Sequence, residues 1–350
     1  MKKYLFLLLV VMMVVTSFGC AGNSSNTESS SAPADSSAPA ASDAKEPIEL
    51  TIAHIYSPEH NEHVALSKFK EEIEKKSEGA IKVTIYPAGQ MGSEREITEQ
   101  IKLGTIDMGD SGGGMWAAFV PKAAVFELPF LYESIEHQTK VMHEVGLKAA
   151  QEMLVPENLR PLFYFTTSIR GSILKTKPIY TADDIKGIKM RVPENPVYVD
   201  TWKALKANPT TTPWSEAYTA IAAGVVDGAE VNPETLVSAK LHEVTNYFSR
   251  TQHMAAAHFV TINEQKWKSF TTEQQKIIID AGAAAEAWQL KEAVKNEEIA
   301  INSMKEAGVQ INDMNPGERD KLIEMSKPLY EYYGEKYGAV DLIEKILAVD

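Results

Sequence analysis

The chain has 350 residues, 44% apolar and 24% charged, which supplies a sizeable core and excludes disorder for most of its length. A formal charge of -13 excludes nucleic acid as the main partner, because a phosphate backbone needs a basic face. The single cysteine, Cys20, excludes disulfides within the chain and any cysteine-held zinc or iron–sulfur site.

At the N-terminus, Lys2 and Lys3 precede an apolar run over residues 4–15, and small residues lead to Cys20. This predicts a secretory signal over 1–19, too short to stay as a membrane-spanning helix. Cys20 stands where a bacterial lipoprotein signal places its cysteine, so lipidation of Cys20 is expected. Ser17 stands where leucine is usual in such a signal, and Ser17 and Gly19 also suit ordinary cleavage. Residues 21–45 are rich in Ser, Ala and Pro and hold no aliphatic residue larger than alanine. Residues 20–45 are therefore read as a disordered, lipid-anchored tether.

Residues 48–54 (IELTIAH) alternate apolar and polar, the pattern of a half-buried strand. A helix is predicted over 63–77, with Val64, Leu66, Phe69 and Ile73 inward and Gly79 as its stop. Residues 81–86 predict a second strand. Ser93 and Glu96 stand at capping-box spacing and open a helix that ends at Gly104. A third strand follows over 105–110. This alternation predicts an α/β layer with a largely parallel sheet.

The pattern returns downstream: a strand over 188–192, helices over 198–207 and 213–223, and a strand over 225–231. The signature I-x-x-G-x-x-D at 101–107 recurs at 221–227, which argues for two similar lobes over one large sheet. A long helix is predicted over 271–305, a spine of good helix formers. Residues 46–167 are expected to form lobe I, rejoined by about 256–295, and 168–255 lobe II, joined by about 296–350. A cleft between two lobes is where small ligands bind.

No G-x-G-x-x-G after a strand, G-x-x-x-x-G-K-[ST] or H-E-x-x-H occurs. The glycines at 112–114 lack a following Lys/Ser pair and are read as a turn. His60 and His63 have a spacing that helical metal ligands use, but with no third ligand in view they are read as exposed loop and helix-start residues. His54 ends the first strand and points to the carboxyl edge of the sheet, a cleft position. Arg191 ends the strand IKMRV, where an open α/β lobe aims side chains at its crevice. Its planar two-pronged donor matches a carboxylate, and the competing reading is a surface salt bridge. Arg170, at the end of FYFTTSIR (163–170), has a similar case.

The stretch over 187–233 resembles the solute-binding subunits of tripartite ATP-independent periplasmic (TRAP) transporters, the DctP family. The motifs that carry it are D-x-x-G-x-K-x-R-V at 184–192, A-x-P-T at 207–210, P-W-S-E-x-Y-x-A at 213–220 and V-D-G-A-E at 226–230. Upstream, YPAGQMGSEREITEQIKLGTIDM and ELPFLY agree in order and spacing, and the resemblance runs from about 50 to 267. It implies a two-lobed periplasmic-binding-protein-like α/β fold, spanned by a long helix, that closes on an organic acid. It assigns the ligand carboxylate to Arg191 and a second contact to Arg170. The GSERE segment is similar to the branch that binds sugar acids such as uronates, which makes Glu94 an acceptor for ligand hydroxyls. His54 matches a pocket histidine, and Trp214 of the P-W-S-E block joins the ligand-binding set. The family pattern V-D-G-x-E-N departs here, because Val231 stands in the asparagine position and Asn232 follows it. Either Asn232 substitutes or the pocket is more apolar there.

The resemblance implies a monomeric, non-enzymatic protein with no cofactor and no metal. Its partners would be a small organic acid and the small and large membrane permease subunits. Its place would be extracytoplasmic, either on the outer face of the cytoplasmic membrane or periplasmic. The alternatives are an exported sensor module and an exported hydrolase or lyase.

Overall fold

The computed structural model describes residues 46–349. The expected signal segment, the lipidation at Cys20 and the tether lie outside the described residues. The chain opens with β1 (Ile48–Ala53), α1 (Asn61–Lys76), β2 (Ile81–Tyr86), α2 (Glu94–Leu103) and β3 (Met108–Gly112). Short 3-10 turns lead into α3 (Ile135–Val141), α4 (Leu147–Leu154) and β4 (Leu159–Thr166). Then come β5 (Arg170–Leu174), β6 (Lys189–Val192), α5 (Pro196–Ala204), β7 (Asn208–Thr211), α6 (Ala217–Ala222), β8 (Gly228–Val231), α7 (Pro233–Ser238) and β9 (Tyr247–Met254). The chain finishes with β10 (Ala257–Asn263), α8 (Glu264–Ser269), α9 (Thr272–Glu306), β11 (Gln310–Asp313), α10 (Glu318–Tyr337) and α11 (Val340–Leu347).

The strands form two sheets, ordered β2-β1-β3-β10-β4 and β11-β9-β5-β8-β6-β7. Neither is as parallel as the sequence suggested. β10 returns antiparallel to both β3 and β4, and β5 runs antiparallel to β8 and β9. Each sheet buries its own core. Leu50, Ile52, Phe69, Phe163 and Ile278 pack under α1, and Ile173, Ile221, Ala229, Phe248 and Met304 pack in the second lobe. Each of the fully buried Leu, Ile, Phe and Met side chains contributes roughly 1.5–3 kcal/mol.

The repeated signature has the same structural role twice. Gly104 and Gly224 close their helices at φ 78° and 72°, a left-handed conformation that glycine adopts without strain. Three residues on, the Asp107 carboxylate accepts the Thr51 N–H of β1 at 2.7 Å, and the Asp227 carboxylate accepts the Lys189 N–H of β6 at 2.8 Å. Each aspartate thus ties its incoming strand to the neighbouring one.

The chain crosses between the sheets by short segments at 167–169 and 255–256, and once more along α9 from β10 to β11. Here the structure corrects the strand expected over 163–170. β4 stops at Thr166, and Arg170 begins β5 instead of ending a strand. The reason is where the intervening backbone bonds. Thr167 N–H donates to the Gln138 carboxamide at 3.2 Å, and the Thr167 hydroxyl donates to Ala256 O at 3.0 Å. Gln138 also donates to Ala256 O, so one side chain binds both short crossings.

The long helix starts in a Thr271/Gln274 capping box. It packs on α1 and β4 at one end and on α7 and β11 at the other. Gly282 lies where a Cβ would meet the Phe163 ring at 2.4 Å, which sets the close approach of α9 to β4. Among the described residues, no helix is long and apolar enough to cross a membrane.

Candidate functional site

The carboxyl ends of β1, β3, β6 and β8 face a shared cleft, as ligand crevices of open α/β sheets do. An outer opening of about 770 Å³ leads past Ile55 and Trp214 to an inner cavity of about 40 Å³.

Arg191 reaches this cavity from the end of β6 and is only 3% exposed. Its Nε and Nη2 both donate to Thr212 O, at 3.1 and 2.6 Å, and its guanidinium lies 5.2 Å from the Trp214 ring centre. Among the described residues, the arginines with ion pairs are Arg95, Arg160, Arg170 and Arg250. Arg191 has none. Burial therefore lowers its pKa to about 10, with Glu230 offsetting part of the effect. It remains a cation at neutral pH, held without an adjacent counter-charge.

Arg170 lines the same cavity but is already paired. Its Nε and Nη2 grip the Glu230 carboxylate at 2.5 and 2.9 Å, and Nη2 also reaches Glu230 O. Glu230 closes the V-D-G-A-E motif, so that motif supplies the partner of the second arginine. Burial pushes the Glu230 carboxyl up, but Arg170 and His253 outweigh it and hold it below its usual range. Arg170 also stacks over Tyr198, 5.2 Å from its ring centre.

The opposite wall carries carboxyl groups. Glu94 opens α2, and its Oε1 accepts the Gly112 N–H at 2.7 Å. Burial raises its pKa. Glu127 is fully enclosed and accepts the Asn195 amide from the other lobe. Burial, reinforced by Glu94, pushes its carboxyl up to about 7. A Cβ at Gly114 would collide with both Glu127 and Asn195, so this contact requires glycine there. The glycines at 112–114 therefore end β3 and enter a 3-10 turn against this wall.

Of the residues singled out in the sequence, the structure brings Arg191, Arg170, Glu94 and Trp214 together at the inner cavity. Two others sit apart from it. His54 is buried behind Tyr56, accepting the Tyr56 N–H at 3.2 Å and meeting His63 Nδ1 at 3.0 Å. Burial lowers its pKa to about 4, so it is neutral. Asn232 is the N-cap of α7, its oxygen occupied by the Thr235 N–H at 2.8 Å. The cavity wall at that point is Val231 and Thr235. His60, expected to be exposed, is 2% exposed. It caps α1, stacks on Tyr56 at 4.1 Å and meets the Thr235 hydroxyl of the other lobe at 2.9 Å.

Sequence reasoning missed Tyr56, Glu127, Tyr198 and His258, all of which line the cavity. Glu127 opens the ELPFLY segment, a signal that was present but assigned no role. His258 arrives on β10, far along the chain, and no local pattern marks it.

The chain matches the family described as bacterial extracellular solute-binding protein, family 7 (DctP), over residues 52–336. It is 34% identical over 246 residues to a solute-binding protein of Roseobacter denitrificans, covering 69% of this chain and 74% of that protein. Its fold is similar to a crystal structure of a TRAP periplasmic solute-binding protein from Roseobacter denitrificans with bound β-D-glucuronate. That likeness has a TM-score of 0.83 and 26% identity, over 86% of this chain and 100% of the other. A sugar acid binding protein of Advenella mimigardefordensis in complex with galactonate is similar at TM-score 0.83 and 25% identity, over 87% and 98% of the two chains.

Proposed function

We propose that this chain, which belongs to family 7 of the bacterial extracellular solute-binding proteins, closes its cleft on a sugar acid of the uronate or aldonate class. The chain is the extracytoplasmic solute-binding subunit of a TRAP transporter, and its family binds substrates without transforming them. The observation that carries the ligand class is the buried, unpaired Arg191 guanidinium facing carboxyl acceptors across the cavity. A carboxylate supplies the counter-charge that Arg191 lacks, in the planar two-pronged geometry guanidinium favours. Arg170, fixed by Glu230, presents its remaining edge beside it. Glu94 and Glu127 accept or share protons with the ligand hydroxyls. Trp214 and Tyr198 cover the apolar C–H face of a sugar ring, and Val231 keeps one wall dry.

Residues 46–167 with 256–295 act as lobe I, and 168–255 with 296–350 as lobe II, with rotation at the two short crossings, 167–169 and 255–256. The loaded, closed form is what the small and large permease subunits recognise. The chain works as a monomer held to the membrane by lipid on Cys20, and it returns its ligand chemically unchanged.

A thermal-shift panel of D-glucuronate, D-galacturonate, D-galactonate, succinate and D-glucose tests the ligand class. A sugar acid at about a hundredfold over its Kd should raise Tm by roughly 5 °C, and D-glucose should not. No shift with any acid, or an equal shift with D-glucose, overturns the proposal.

A further inference from the structure

We propose that Glu62, Asp110 and His258 form a binding site for one divalent transition-metal cation of the Zn²⁺ or Mn²⁺ type. The proposal does not depend on which acid the cleft takes.

The sheet register builds the site. His258 pairs with Gly112 and Val260 with Asp110 across β3 and β10. Residues two apart on a strand share a face, so Asp110 and His258 are diagonal neighbours on one face of the sheet. Glu62, in the first turn of α1, covers that face. The three donor atoms lie within 4.8 Å of one another, and their residues are buried. His258 Nδ1 is 3.3 Å from Glu62 Oε2 and 3.5 Å from Asp110 Oδ1. Donors bound tetrahedrally at about 2.0–2.1 Å are separated by about 3.3 Å, so these spacings are those of ligands around one small cation. The Tyr56 hydroxyl stands beside the His258 ring, 3.2 Å from Nδ1 and 3.3 Å from Nε2.

A second observation points to an occupant. Both carboxylate oxygens of Asp110 and Oε2 of Glu62 are buried without a partner in hydrogen-bond geometry, His258 Nδ1 standing only at ion-pair range. Asp110 is 1% exposed. Two carboxylates enclosed beside one imidazole are costly unless a cation completes them, either the protonated imidazole itself or a bound metal, and metal retention separates the two. Two carboxylates and one imidazole suit Zn²⁺ or Mn²⁺, whereas Ca²⁺ asks for 6–8 oxygen ligands. Tyr56 and His258 also line the inner cavity, so the cleft is the entry path.

The full chain, purified without a histidine tag and stripped with EDTA, is dialysed against Zn²⁺, Mn²⁺ or Ca²⁺, and bound metal is counted by mass spectrometry. Zn²⁺ or Mn²⁺ should be retained at one per chain, and Asp110→Asn and His258→Gln should each reduce retention about tenfold or more. Anomalous diffraction at the zinc edge should place the ion among the three side chains. Metal below a tenth per chain overturns the proposal. So does equal retention in His258→Gln, or a peak only at a surface pair such as His143 and Glu286. If Asp110→Asn does not fold, His258→Gln and the wild-type anomalous map decide the matter.

Discussion

The two walls of the cleft are built by the same strand–helix–strand grammar but carry opposite chemistry. The wall from the first sheet offers carboxyl groups, Glu94 and Glu127, both raised in pKa by burial. The wall from the second sheet offers two guanidinium groups, one neutralised by Glu230 and one not. On the proposed function, a cleft with one anion-seeking wall and one hydroxyl-seeking wall selects a ligand with a carboxylate at one end and hydroxyls at the other. The same proposal fixes which end faces which lobe.

The sharpest way to break this comparison is to exchange the roles of the two arginines. Arg170→Ala leaves Glu230 buried without its partner and should cost about 3–5 kcal/mol of folding stability, read as a large drop in Tm. Arg191→Ala should fold with a near-native Tm and lose about a hundredfold or more in affinity by calorimetry, while Arg191→Lys loses roughly tenfold to a hundredfold. If Arg170→Ala melts like the wild type, the division into a structural and a binding arginine is wrong.

The carboxyl wall makes a pH-dependent prediction. The Glu127 pKa is raised from 4.5 to about 7 by burial, so the folded form holds a proton that the unfolded chain releases. Its stability contribution is fully present below 4.5 and is lost as pH rises through 7. Glu127→Gln keeps an acceptor for Asn195 and removes the titration. Relative to wild type, the variant should gain up to about 3 kcal/mol between acid and pH 8, read from paired melting curves. A constant difference across that range would remove Glu127 from the account.

The smallest effect is expected at Asn232. Its side chain caps α7, so Asn232→Ala should cost about 1 kcal/mol of stability and leave ligand affinity unchanged. A large affinity loss with unchanged Tm would return Asn232 to the ligand.

What the sequence disclosed follows from range. Helix ends, the Ser93 cap and the repeated glycine–aspartate turns are local, and local chemistry marked them. Arg191 was legible because the end of a strand in an α/β lobe already faces a crevice. Arg170 was misplaced because the break between β4 and β5 is set by Gln138 and Ala256, distant in the chain. The parallel sheet was over-read because β10 returns antiparallel from the second lobe. That same return delivers His258 to Asp110, a neighbourhood no spacing rule exposes. His60 looked exposed because Thr235, which covers it together with the neighbouring Tyr56 ring, comes from the other lobe.

The most direct measurement of the central claim is a crystal structure of the chain with D-glucuronate. The account predicts the carboxylate oxygens within hydrogen-bond distance of the Arg191 guanidinium, beside Arg170, with ring hydroxyls turned toward Glu94 and Glu127. A uronate bound the other way round, its carboxylate on the Glu94 wall and its hydroxyls on Arg191, would contradict it.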